Sequence, residues 1–66
     1  MHSQDCLRDQ LNKVMGEYGL TTKDVAITVD IDPHIIQRFI AYDYSCQLTI
    51  FQIMAISNFC HNKYWL

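Results

Sequence analysis

The sequence predicts an all-α fold, a small four- to five-helix bundle containing a helix-turn-helix. Two observations carry this: apolar residues recur at helical spacing along the chain, and two capped helix starts lie close together at Thr21 and Asp32. At 66 residues the chain reads as one domain, residues 1–66, too small to spare any apolar element. Half of its residues are apolar, which favours a folded core over disorder.

Leu7, Leu11, Val14 and Tyr18 repeat at helical spacing and predict a first helix from about Gln4 to Glu17. Its exposed side is expected to carry Arg8, Asp9, Lys13 and Glu17. Gly19 is placed to end it in a left-handed conformation. Thr21 can then cap a second helix, with Asp24 three residues on completing an acidic capping box. Val25, Ala26 and Val29 share one face of that helix, and the small Ala26 allows a close crossing with the next.

Ile31 plugs the corner between the two. Asp32 and Pro33 start a third helix, an N-cap carboxylate followed by a proline whose missing N–H costs nothing at the first helical position. Ile36, Phe39 and Ile40 form its buried face. Residues Tyr42 to Gln47 read as a loop, after which Thr49 caps a fourth helix running to about Phe59. Ile50, Phe51, Ile53, Met54, Ala55, Ile56 and Phe59 cover most of that helix, more apolar surface than short neighbours can enclose. The excess predicts a partner, most simply a second copy.

Cys6, Cys46 and Cys60 are odd in number and form no Cys-x-x-Cys pair, so neither a disulfide framework nor a zinc site is expected. No cofactor or metal is expected either. No Ser/His/Asp or Cys/His set converges and no glycine-rich phosphate loop is present, so the chain does not read as an enzyme. No run is long enough to span a membrane, and Met1 to Asp5 lacks the character of a signal peptide, so no membrane association and a cytoplasmic location are expected.

The segment Gly19-Leu20-Thr21-Thr22-Lys23-Asp24-Val25-Ala26, followed by Ile31-Asp32-Pro33-His34-Ile35-Ile36-Gln37-Arg38-Phe39, resembles the Cro/CI-type helix-turn-helix domain of phage repressors and many bacterial regulators, a lambda-repressor-like fold. Leu48 to Phe59 is similar to the helix that follows in that family. The resemblance implies a transcriptional regulator, active as a dimer, that places the Pro33–Ala41 helix in the major groove of double-stranded DNA. On this reading His34, Gln37, Arg38 and Ala41 face base edges or phosphates, and Thr22 and Lys23 approach the backbone. Gln37 suits adenine and Arg38 suits guanine or a phosphate.

Charge supports an alternative. Five Lys and Arg against seven Asp and Glu give a net charge of −2, where a duplex binder usually displays a basic face. Asp30 stands where the family usually has glycine, and Ala41-Tyr42-Asp43-Tyr44 replaces the basic and polar residues that commonly follow its recognition helix. Asp32 and Asp43 flank the groove-facing helix with negative charge. The alternative is a helix-turn-helix turned to protein binding, a phage-type modulator or antagonist that docks on a repressor or host regulator. Its interface residues would be Ile35, Tyr42, Tyr44, Phe51, Tyr64, Trp65 and Leu66.

Overall fold

The computed structural model describes residues 4–63, which form helices with no strand among them. The order is α1 (Asp5–Tyr18), α2 (Thr22–Val29), α3 (Pro33–Ile40) and α4 (Ile50–Asn58), the last running on as a π-helical turn, Phe59–Lys63. The all-α expectation holds. α2 packs against α3, α1 lies across α3, α4 and the π-helical turn, and α2 also touches α4.

The starts of α2, α3 and α4 are each fixed by a side chain. Thr21 Oγ1 accepts from the Asp24 N–H at 3.1 Å while Asp24 Oδ2 accepts from the Thr21 N–H at 3.0 Å, a complete capping box. Thr49 and Gln52 form a second box at the start of α4, with distances of 3.2 and 3.0 Å. Asp32 Oδ1 accepts from the His34 N–H at 2.8 Å, with Pro33 opening α3. Replacing a threonine cap with alanine typically costs about 1 kcal/mol.

The ends follow one pattern. After α1, α2 and α3 the chain passes through a left-handed residue, Gly19 (φ 64°), Asp30 (φ 57°) and Tyr42 (φ 60°). The next residue donates its N–H back five positions: Leu20 to Met15 O at 2.9 Å, Ile31 to Ala26 O at 3.1 Å, and Asp43 to Arg38 O at 3.0 Å. Glycine takes this conformation freely and aspartate at modest cost, but a bulky aromatic at Tyr42 must be held there by something else. That holder is α1.

The core contains Leu11 and Val14 of α1, Val25 and Ala26 of α2, Ile31 of the turn, Ile36 and Phe39 of α3, Leu48, Ile56, Phe59 and Cys60. The helical spacing anticipated most of these. Two expectations for α1 fail: Tyr18, grouped with its apolar face, is 53% exposed, and Arg8, placed on its exposed side, is buried at 2% exposure. Its Nε donates to Phe39 O at 3.0 Å, Nη2 to Cys46 O at 3.3 Å, and Nη1 meets Asp5 Oδ1 at 3.2 Å. The guanidinium also lies over the rings of Phe39 (4.7 Å) and Tyr44 (4.9 Å).

One turn further along, Asn12 Nδ2 donates to Ile40 O at 3.1 Å. Arg8 and Asn12 therefore satisfy two carbonyls at the C-terminal end of α3, where such groups lack helical partners and a cation suits the helix dipole. α1 is thus fastened to α3 by its polar residues as well as its leucines. Tyr42 and Tyr44 add to this by donating their hydroxyls to Asp9 and Asp5.

The fourth helix departs from its predicted end in one respect. It leaves α-helical geometry after Asn58, and Phe59 begins the wider π-helical turn that buries Phe59 and Cys60. Cys46 and Cys60 are buried free thiols and Cys6 is an exposed one.

Removing the guanidinium takes a donor from the Cys46 carbonyl, leaves the Phe39 carbonyl to the Tyr42 N–H at 3.2 Å, and opens space between two rings. Arg8→Ala is expected to lose about 3 kcal/mol in a urea titration. Arg8→Lys keeps the charge but not the planar fork and should remain well below wild type.

Candidate nucleic-acid interface

α3 buries Ile36 and Phe39 and half-buries Ile35 and Ile40, so its opposite face must turn to solvent. His34, Gln37, Arg38 and Ala41 lie three to four residues apart and are all exposed, which gathers four of the six residues expected at DNA into one stripe. Thr22 and Lys23 sit on the first turn of α2, Thr22 half-buried and Lys23 exposed. Ile35 packs against the core rather than standing free, which limits its use as an interface residue.

The electrostatics of the stripe are tightly paired. At the start of α3, Asp32 Oδ1 takes both the His34 N–H and, at 3.2 Å, His34 Nδ1. The positive end of the helix dipole is therefore already occupied by a carboxylate. At the other end, Arg38 Nε donates to Asp43 Oδ2 at 3.0 Å and Nη2 donates to Ser45 Oγ at 2.9 Å. Ser45 Oγ in turn donates to Asp43 Oδ1 at 2.6 Å, and the Ser45 N–H donates to the same oxygen at 3.0 Å. Arg38, Asp43 and Ser45 close a ring of hydrogen bonds.

The ring shifts both charged groups. Hydrogen bonds from Ser45 first, and from Arg38 second, hold the Asp43 carboxyl well below its ordinary value, at about 2. Asp43 raises the pKa of Arg38 in return. Tyr42 and Tyr44 are half-exposed beside this ring, and their hydroxyls are also pushed up, Tyr42 by its bond to Asp9 and Tyr44 by desolvation and then by Asp5.

Five cations are few, and three of them are committed elsewhere or sit beside a carboxylate. Arg8 is inside the fold, Arg38 is paired, and Lys23 adjoins Asp24, whose carboxylate the Thr21 N–H stabilises. The other candidate surface is apolar. Ile50 (67% exposed), Phe51 (79%) and Met54 (54%) stand out from α4, and Ile27 (71%) from α2. Tyr64, Trp65 and Leu66, expected to contribute to a protein interface, lie outside the described residues.

Among the described residues no three His, Cys, Asp or Glu side chains are grouped to hold a metal, and no helix is long and apolar enough to cross a membrane. Comparison with known protein families, with curated proteins and with solved structures returns no match. Sequence reasoning missed Asp43 and Ser45 as partners of Arg38. Nothing in their spacing reveals the ring, because it depends on the left-handed Tyr42 turning the chain back along α3.

A carboxylate whose folded pKa lies below its unfolded one stabilises the fold fully above the unfolded value and loses that contribution as pH falls through the folded value. For Asp43 the window runs from about 3.8 down to about 2. An NMR titration of the Asp43 carboxyl should therefore show a midpoint near 2. Ser45→Ala should move it upward further than Arg38→Ala does.

Proposed function

We propose that this chain is a small helix-turn-helix transcriptional regulator that binds double-stranded DNA through α3, as a dimer. The observation that carries the reading is the solvent-facing stripe of His34, Gln37, Arg38 and Ala41 on a helix whose opposite face is fixed to the core and whose C-terminal end is held by Arg8 and Asn12. A helix that reads bases must present short-range donors rigidly, and these side chains have that backing. Gln37 matches the donor and acceptor pair of adenine, and Arg38 the acceptor pair of guanine.

The charge pattern sets how such binding behaves. With Arg8 buried and Arg38 paired, few phosphates can be neutralised, so sequence-independent affinity is weak and the salt dependence shallow. Two copies on a palindromic site compensate by avidity. The exposed Ile50, Phe51 and Met54 supply apolar surface for that pairing.

The same charge pattern favours a second reading, a module that docks on a regulatory protein through the apolar residues of α4 and the Tyr42 and Tyr44 surface. Here α3 would be scaffold. The two readings place the contact on different faces.

Electrophoretic retardation of mixed duplex DNA at low and moderate salt separates them. Salt-sensitive retardation by wild type supports the first reading, as does a loss of about tenfold or more on Arg38→Ala when the duplex is one enriched from a random pool by the wild-type protein. No retardation even at low salt would sink it. Phe51→Ala leaves the core untouched, so sedimentation that gives a dimer for wild type and a lighter species for this variant supports the pairing face, and a monomer for both rejects it.

A further inference from the structure

The ring around Arg38 uses one edge of the guanidinium. Nε and one hydrogen of Nη2 are taken by Asp43 and Ser45, which leaves the Nη1–Nη2 edge directed away from them. That edge carries two parallel N–H donors, the arrangement that matches the O6 and N7 acceptors of guanine or two oxygens of a phosphate. Asp43 decides between these two ligands. Its carboxylate, 3.0 Å from Nε, cancels most of the charge that would draw Arg38 to a phosphate, and it repels the phosphate itself. A neutral base edge is bound by hydrogen bonds and loses little.

We infer that Asp43 is a positioning residue that sets sequence specificity: it withholds Arg38 from the DNA backbone and presents its free edge to a guanine. The inference rests on the DNA-binding reading above and deepens it. Ser45 locks the geometry from the far side, and the left-handed Tyr42, held by its bond to Asp9, brings Asp43 into place. The ring exchanges affinity for discrimination. A free arginine would grip any sequence, whereas a paired one contributes only where the correct base lies opposite it.

The test compares wild type, Asp43→Asn, Asp43→Ala, Arg38→Ala and the Arg38→Ala/Asp43→Asn double variant. Each is titrated with a mixed-sequence duplex and with a duplex enriched from a random pool by the wild-type protein, across a series of salt concentrations. Asp43→Asn keeps an acceptor for the Ser45 N–H and so preserves the turn should Asp43→Ala not fold. Releasing Arg38 is expected to tighten binding to the mixed duplex, to steepen the salt dependence by about one unit of log K against log salt, and to reduce preference for the enriched duplex by about tenfold.

In the Arg38→Ala background the Asp43→Asn change should have no effect on preference. A purely structural role for Asp43 would act in both backgrounds. If wild type binds and prefers its enriched duplex, yet Asp43→Asn leaves slope and preference unchanged, the inference falls while the DNA-binding reading stands. If no protein in the set retains either duplex at low salt, the reading itself falls and takes the inference with it.

Discussion

Burying Arg8 is the constraint on which the rest of this fold depends. A charged side chain taken from water costs several kcal/mol unless its hydrogen bonds are replaced, and here each part of the fork has a partner. The carbonyls of Phe39 and Cys46, the carboxylate of Asp5 and the faces of Phe39 and Tyr44 together receive it. In return one side chain of α1 joins the end of α3 to the loop that follows. Without it, Phe39 O would keep its bond from the Tyr42 N–H, but the loop from Tyr42 to Leu48 would lose its inner anchor at Cys46 O. The left-handed Tyr42 and the ring at Asp43 both sit on that loop.

The local features of this architecture were legible in the sequence. Thr21 with Asp24, Asp32 with Pro33, and Thr49 each act within three residues, so spacing alone reveals them. Gly19 and Ile31 likewise follow from local rules. Arg8 was misread because its partners lie 31 and 38 residues away and only folding brings them near. On a helical pattern arginine beside Asp9 and Lys13 looks like solvated surface. Tyr42 was missed for the opposite reason: aromatic residues so seldom adopt positive φ that nothing marks the site until Asp9 is seen across from it.

The candidate site was half legible. Periodicity alone puts His34, Gln37, Arg38 and Ala41 on the outer face of α3 once Ile36 and Phe39 are assigned to the core. What periodicity cannot give is the state of the charges. A count of five cations suggested a poor phosphate binder, and their placement sharpens the reason, since Arg8 is spent on the fold and Arg38 on Asp43. The proposed mode of binding follows from that placement: base recognition with little backbone attraction, reinforced by pairing of two copies.

That claim concerns which face meets the partner, and backbone amide NMR reports it residue by residue. Titrating the chain with the duplex it enriches from a random pool should shift the amides of His34, Gln37, Arg38 and Ala41 at low salt and leave Val14 and Ile56 in the core unmoved. A spectrum unchanged by DNA, or shifts confined to Ile50, Phe51 and Met54 with α3 silent, would contradict it.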